Sequence, residues 1–269
     1  MMLLKKFFAA LLALAMTLTL SAALAEDNSL QAILDKGTFI IGLDDSFPPM
    51  GYRDENNDIV GFDIDVARAV AEKLGVEFIA QPISWEAKEL ELSSGNIDCI
   101  WNGMSITPER EESMAMTFPY LNNQIVCYTK DDASIASLAD LAGKSVAVQN
   151  GSYAEELLLS DDYADVKATF ADMPGFEDYL TALMDLQQGG VDAVIMDLVV
   201  GDFRINSMGA ENLKAAFALE DDNYGIGFRK DDLALRDKVQ DILKEMKADG
   251  SLAAISEKWF GSDITVVPD

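Results

Sequence analysis

The chain contains no histidine, and its 20 Lys and Arg residues are far outnumbered by 47 Asp and Glu residues, which gives a net charge of −27. Without histidine, the sequence excludes Ser-His-Asp and Cys-His catalytic sites and zinc sites with His ligands. The excess negative charge argues against binding to DNA, RNA or anionic lipid, which attract basic surfaces. We therefore expect no nucleic-acid partner, no metal and no cofactor. The hydrophobic fraction of 49% is large enough for a folded core.

Cysteine is also rare, with only Cys99 and Cys127, both in apolar, strand-like segments. Buried free thiols are the favoured interpretation, although the spacing leaves a disulfide open. No cysteine lies near residue 25, which excludes lipid attachment there.

The N-terminus has the pattern of a secretory signal peptide. Lys5 and Lys6 precede an apolar run over residues 7–20, and Ala23 and Ala25 form an A-x-A cleavage pattern. The alternative, a membrane anchor, is disfavoured because the run is short for a membrane span and acidic residues follow at once. We therefore predict that residues 1–25 are removed and that the protein is periplasmic or secreted.

Strand and helix patterns alternate along the rest of the chain, which predicts an α/β fold with largely parallel sheets covered on both faces. The alternation restarts near residue 130, which predicts two lobes. The predicted strands are 38–43, 77–83, 97–101, 124–129, 145–149, 166–170, 191–196 and 224–228. The predicted helices are 63–74, 86–92, 152–159, one containing Phe176, Leu180, Leu183 and Met184, one containing Leu235, Val239, Ile242, Leu243 and Met246, and 251–259.

Several short motifs occur in one order along the chain. They are GFDID at 61–65, GMSITPER at 103–110, FPY at 118–120, LAGK at 141–144, VDAV at 191–194 and KWFG at 258–261. In this order they resemble the polar amino-acid binding proteins of ABC importers, solute-binding protein family 3, over essentially the whole mature chain. The resemblance implies a type II periplasmic-binding-protein fold. Mapped here, lobe 1 is 27–126 plus 226–269 and lobe 2 is 128–223, with hinge strands near 124–129 and 224–228.

The resemblance also implies residues that hold the α-carboxylate of an amino acid. Arg110 matches the family's carboxylate-binding arginine, and its planar guanidinium can bind two oxygens at once. Gly103 and Ser105 match positions that contribute a carbonyl and a hydroxyl group. Ser152 and Tyr153 begin a helix whose backbone N–H groups favour an anion. The simpler alternatives are a surface Arg110 paired with a neighbouring glutamate and a Ser152 that only caps its helix.

Other positions are implied to hold the ammonium group and the side chain. Asp197, at the end of a buried strand, resembles the ammonium-binding aspartate, with an ordinary helix cap as the alternative. Phe47 and Trp85 match aromatic residues on either side of the ligand side chain. Asp44 and Gln149 match positions that set specificity, and Asp44 favours arginine, lysine, histidine or glutamine.

Two departures limit what the resemblance implies about specificity. Residues 86–92 read EAKELEL, where the family usually has an apolar stretch, and Trp101 replaces a smaller residue just before Gly103. An indole near the cleft would reshape the side-chain pocket.

The sequence therefore predicts a monomeric binding protein, not an enzyme, that captures a polar L-amino acid and delivers it to an ABC permease. Two alternatives stay open: an exported enzyme similar to cyclohexadienyl dehydratases on the same fold, and a ligand-sensing input protein.

Overall fold

The computed structural model describes residues 27–269, and the predicted signal peptide at 1–25 lies outside them. The strands within this range are β1 (Thr38–Leu43), β2 (Ser46–Phe47), β3 (Gly51–Arg53), β4 (Ile59–Val60), β5 (Glu77–Pro82), β6 (Cys99–Ser105), β7 (Met114–Met116), β8 (Leu121–Lys130), β9 (Val146–Gln149), β10 (Gly175–Phe176), β11 (Ala193–Asp197) and β12 (Leu213–Arg229). The α-helices are α1 (Ser29–Lys36), α2 (Phe62–Leu74), α3 (Lys88–Ser93), α4 (Pro108–Ser113), α5 (Tyr153–Leu159), α6 (Ala164–Lys167), α7 (Tyr179–Gln188), α8 (Leu198–Met208), α9 (Leu233–Asp249) and α10 (Ser251–Phe260).

One large sheet runs through the molecule in the strand order β10-β9-β11-β8-β12-β6-β1-β5, and β7 also pairs with β12. The long strands β8 and β12 run antiparallel to each other, from the pair Leu121 and Tyr224 to the pair Lys130 and Leu213. On either side of them the large sheet is parallel: β5, β1 and β6 on one side, called here the β1 half, and β11, β9 and β10 on the other, called the β9 half. A separate small antiparallel sheet contains β2, β3 and β4. The central antiparallel strands therefore join two parallel α/β units.

The inner strands are buried on both faces, as expected for parallel strands covered by helices. Every residue of β6 and β11 is buried. The C-terminal helices α9 and α10 pack against α1 and α2, so the end of the chain covers the β1 half rather than the β9 half.

The structure corrects two predicted elements between β9 and α7. Residues 166–170, predicted as a strand, instead contain the end of α6 and a turn, and β9 pairs with β10 (Gly175–Phe176). The alternating pattern of residues 166–170 fits either a strand or the end of a helix. In the structure the strand that pairs with β9 is the later segment, β10. Phe176 lies in this strand rather than in the next helix, because Asp178 caps α7 through a hydrogen bond from the Thr181 N–H at 2.8 Å.

The sequence analysis also missed the short strands β2, β3, β4 and β7. Helix α1 was not predicted, and β12 is 17 residues long, extending well before the predicted start at residue 224. The early part of β12 contains exposed charged residues, so it lacks the apolar signal of a buried strand.

Candidate functional site

Nine of the ten predicted site residues line one small cavity between the two halves of the sheet. The β1 half contributes Phe47, Trp85, Gly103, Ser105 and Arg110, and the β9 half contributes Gln149, Ser152, Tyr153 and Asp197. The tenth, Asp44, accepts a hydrogen bond from Gln149 Nε2 at 2.7 Å. The space left between these side chains is only about 10 Å³, roughly room for one water molecule.

The end of β6 is shaped by Gly103, whose φ of +57° lies in the left-handed region. A Cβ atom there would lie 2.8 Å from Phe47 Cε1, so the close approach of Phe47 requires glycine. The Gly103 N–H donates to Asp63 Oδ2 at 2.8 Å, and Asp63 also accepts from the Tyr120 hydroxyl at 2.9 Å. Burial raises the pKa of Asp63 to about 7. This buried network positions the end of β6, which carries Ser105.

Arg110 is buried rather than on the surface, which excludes the alternative of a pair with a neighbouring glutamate on α4. Thr107 caps α4 and Pro108 begins it, which directs Arg110 inward. Its Nη1 donates to the Ser105 carbonyl at 2.9 Å, and its Nη2 pairs with Glu156 Oε1 at 2.8 Å. Its buried Nε has no hydrogen-bond partner within the described part of the chain. The guanidinium therefore keeps a free donor and one donor held by a half-exposed carboxylate.

Opposite Arg110, helix α5 begins at the cavity wall. The Ser152 hydroxyl accepts the Glu155 N–H at 3.2 Å, and Glu155 Oε2 accepts the Gly151 N–H at 2.7 Å. Ser152 therefore caps the helix, and the capping role and an anion-binding role are compatible because the cap leaves other N–H groups free. Burial raises the pKa of Tyr153 to about 12, so its hydroxyl stays protonated at neutral pH.

Asp197 ends β11 and precedes α8, but its side chain makes no capping hydrogen bond. Its Oδ1 instead accepts from Asn123 Nδ2 and from the Tyr224 hydroxyl, both at 2.7 Å. Burial, aided by the nearby charge of Asp222, raises the pKa of Asp197 to about 7. The structure thus decides against the ordinary cap and places a carboxylate at the cavity wall.

A second buried carboxylate, Asp222, lies behind Asp197. Its Oδ2 accepts from the Ser105 hydroxyl at 2.8 Å and from Asn123 Nδ2 at 2.9 Å. Desolvation raises the pKa of Asp222. Asn123 therefore donates to two carboxylates. Because Asn123 lies on β8 and Asp222 lies on β12, these contacts connect this end of the cavity to the two central strands.

The remaining predicted residues form the opposite, partly aromatic end. Phe47 and Trp85 are both more than nine-tenths buried. Asp44 accepts from the Ser46 N–H at 2.8 Å as well as from Gln149, and burial raises its pKa to about 6. Aromatic faces together with a buried carboxylate suit an aliphatic stem that ends in a polar nitrogen.

Several contacts hold the two halves together around the cavity. Arg204 of α8 donates to the Ser46 carbonyl at 3.0 Å and to its hydroxyl at 2.8 Å. Lys88 Nζ donates to the Gly151 carbonyl at 2.8 Å, and a Cβ atom on Gly151 would lie 2.9 Å from Glu86 Cα. The halves are therefore in direct contact on both sides of the cavity.

Sequence reasoning missed the supporting residues of this site: Asp63, Lys88, Tyr120, Asn123, Glu156, Asp222 and Tyr224. Signals were present for Asp63 and Tyr120, which lie in the GFDID and FPY motifs, and for Lys88, which lies in the charged stretch noted as a departure. Trp101 is fully buried beside Tyr120, with ring centroids 6.3 Å apart, and it is not among the residues that line the cavity. Cys99 and Cys127 are buried free thiols, as favoured.

Comparison with known proteins agrees with this architecture. A family model described as bacterial extracellular solute-binding proteins, family 3, matches residues 39–262. The L-cystine-binding protein TcyJ of Escherichia coli (strain K12) is 29% identical over 243 residues, covering 90% of this chain and 89% of that protein. The ABC transporter arginine-binding protein 1 of the same strain is 32% identical over 251 residues, covering 90% and 98%.

A solved structure leads to the same family. The substrate binding protein of an ABC uptake transporter from Streptococcus pneumoniae, with bound histidine, superimposes with a TM-score of 0.85 at 32% identity, covering 90% of this chain and 99% of that one. This match confirms the expected type II periplasmic-binding-protein fold. The chain therefore belongs to the bacterial extracellular solute-binding proteins, family 3.

Proposed function

We propose that this protein binds a polar L-amino acid between two lobes and delivers it to the permease of an ABC importer. The lobes correspond to the β1 half with the C-terminal helices, and to the β9 half. The long strands β8 and β12, the two central connections between the halves, are the hinge. We propose for these lobes the boundaries given by the sequence analysis, 27–126 plus 226–269 and 128–223.

The observation that carries the proposal is the meeting of Arg110 and Asp197 at one cavity, from opposite halves of the sheet. A zwitterionic amino acid presents one negative and one positive group, and burying either without a partner is very costly. Arg110 offers its unpartnered Nε and its Nη2 to the α-carboxylate. Asp197 offers Oδ2 to the α-ammonium group, since Asn123 and Tyr224 occupy Oδ1.

Ligand binding would then stabilise closure of the lobes, because the carboxylate-binding and ammonium-binding groups lie on different halves. The cavity of about 10 Å³ is far too small for an amino acid in this arrangement. The ligand must therefore enter through an opened cleft. It must also displace the Glu156 carboxylate from Arg110, which costs little because Glu156 is half-exposed.

The other end of the cavity favours a ligand whose side chain carries a nitrogen. Asp44 contacts Gln149, which lines the cavity, and a ligand cation near Asp44 would favour the ionised form of its carboxyl, whose pKa burial raises to about 6. Gln149, which donates to Asp44, can also turn toward the ligand. We therefore place arginine, lysine, histidine and glutamine first among the candidate ligands.

The importer and the compartment follow from the family and from the N-terminal sequence. Family 3 proteins are extracellular solute-binding proteins, and residues 1–25 have the pattern of a cleavable signal. Across residues 27–269, no helix is both long enough and apolar enough to cross a bilayer. We propose a periplasmic or secreted monomer that meets its permease at the outer face of the membrane.

The first experiment is a thermal-shift screen of residues 26–269 against the twenty L-amino acids plus ornithine, citrulline and cystine, after unfolding and refolding to remove carried-over ligand. A ligand at about 100 times its dissociation constant adds about 2.7 kcal/mol to the free energy of unfolding. A large shift with one or a few polar amino acids supports the proposal and names the ligand. If no amino acid shifts the transition, the proposal fails; product formation from prephenate or arogenate would then favour the dehydratase-like alternative.

A further inference from the structure

Lys88, the first residue of α3, is a buried cation at the edge of the cavity. Its residue is only 3% exposed. Its Nζ donates to the carbonyl of Gly151, the residue before the α5 cap, at 2.8 Å, and lies 5.3 Å from the centre of the Trp85 ring. The side chain therefore reaches from the β1 half to the start of α5, where the proposed carboxylate site lies.

This ammonium group is not neutralised by the protein. No Asp or Glu oxygen of the described residues lies within 4.0 Å of Lys88 Nζ, whereas Lys36 and Lys258 each contact an aspartate at about 2.7 Å. Among the residues that the structure describes, Lys88 Nζ makes one hydrogen bond, to the Gly151 carbonyl, although an ammonium group has three N–H donors. A buried cation without a counter-ion is costly, so this position favours an anion from outside the chain.

The neighbouring charges point to where that anion lies. Burial, together with the nearby positive charge of Arg110, lowers the pKa of Lys88 to about 8. Glu156, Glu89 and Glu155 act in the opposite direction, more weakly. Glu156 pairs with Arg110, and Glu155 accepts a hydrogen bond from the Gly151 N–H. Lys88 therefore contacts the residue next to Ser152, and Ser152 lines the same cavity as Arg110, so both buried cations have free donors at this cavity.

We propose that Lys88 is a second cationic contact for the ligand's α-carboxylate, which it holds together with Arg110 when the cleft is closed. The inference rests on the proposed function and deepens it: the ligand must carry an anionic group at this end, and a neutral carboxamide is rejected. The alternative is a structural role, in which Lys88 only links α3 to Gly151. Such a role does not depend on the charge of the ligand.

The test compares L-arginine with L-argininamide, which lacks the carboxylate, by isothermal titration calorimetry at pH 7. The variants are Lys88→Met, which removes donor and charge, Lys88→Gln, which keeps a donor without the charge, and Lys88→Arg, which keeps the charge. Lys144→Met is the matched control, because Lys144 is exposed and pairs with Asp192. Circular dichroism and the thermal midpoint without ligand check that each variant folds.

We expect Lys88→Met and Lys88→Gln to weaken L-arginine binding about 10- to 100-fold and to leave L-argininamide binding nearly unchanged. The preference for the carboxylate over the amide then falls by the same factor, while Lys88→Arg and the control retain it. Equal weakening of both ligands, or an unchanged preference in Lys88→Gln, would overturn the inference alone.

The same binding measurements are made with L-histidine and L-cystine, so that the test does not depend on L-arginine being the ligand. If the wild-type protein binds none of the amino acids in the thermal-shift screen, the proposed function itself fails and this inference with it; if it binds another amino acid, the series is run with that amino acid and its carboxamide. Binding by the wild type, together with an unchanged preference in the variants, leaves the proposed function intact and rejects only the role of Lys88.

Discussion

The buried charges at the acidic end and at the basic end of the cavity have different kinds of partners. At the acidic end, Asp197 and Asp222 are surrounded by neutral donors from Asn123, Ser105 and Tyr224. At the basic end, Arg110 keeps an unpartnered buried Nε and Lys88 has no carboxylate within 4.0 Å among the residues that the structure describes.

This difference suggests different roles for the two ends: the acidic end positions the ligand, and the basic end binds its carboxylate. Fixed donors orient the acidic end before any ligand arrives, which reduces the reorganisation needed on binding. Free donors at the basic end leave charge that a ligand must satisfy. We therefore expect the basic end to contribute most of the affinity for the carboxylate, and the acidic end to set orientation and pH dependence.

The strongest test of the comparison is removal of Arg110. We expect Arg110→Ala to weaken binding of L-arginine by about a thousandfold or more, since a buried carboxylate then loses its bidentate partner. Titration calorimetry measures the change, and Arg236→Ala, on α9 and paired with its neighbour Asp237, is the control. Wild-type affinity in Arg110→Ala would show that the basic end does not hold the carboxylate.

At the acidic end, Asp197 and Asp222 form a matched pair. We expect Asp197→Asn to weaken L-arginine binding about 100-fold, because the ammonium group loses a buried ionic partner. Asp222→Asn should cost no more than about tenfold, since Asp222 acts through Ser105 and Asn123 and does not line the cavity. Equal losses in the two variants would assign both carboxylates to the ammonium group.

The acidic end should also impose a pH dependence. Because burial raises the pKa of Asp197 to about 7, its carboxyl is increasingly protonated below that pH, and the ammonium group must displace this proton. Affinity for L-arginine should therefore fall as pH drops below about 7, by at most about tenfold per pH unit for this group. Asp44, with a pKa raised to about 6, adds to the slope below that value. Titrations from pH 8 to pH 5 check this, and a slope that persists unchanged in Asp197→Asn would assign the effect elsewhere.

The smallest expected effect concerns Glu156, which occupies one donor of Arg110. Since the ligand carboxylate must displace it, Glu156→Gln should strengthen binding, by no more than about fivefold because the pair is half-exposed. Competition titration at low salt is the suitable measurement, since salt weakens the competing pair. Weaker binding in Glu156→Gln would mean that Glu156 supports Arg110 in the bound form.

Much of the fold was predictable because its signals are local. The helix α9 follows from its 3.6-residue apolar stripe, and β6 and β11 follow from short apolar runs in a strand–helix alternation. The segment between β9 and α7 was not predictable in this way. There the choice between residues 166–170 and Gly175–Phe176 depends on pairing with β9, a contact that no local pattern encodes.

The sequence by itself determined the family motifs, the α/β alternation and the chemical types available for binding, because these depend on residue identity and order. Only the tertiary structure decided that Arg110 is buried, that Asp197 does not cap α8, and that Asn123, Asp222 and Lys88 belong to the same site. These residues come from distant parts of the chain, and their burial and charge are set by neighbours that meet only when the two halves of the sheet close on each other.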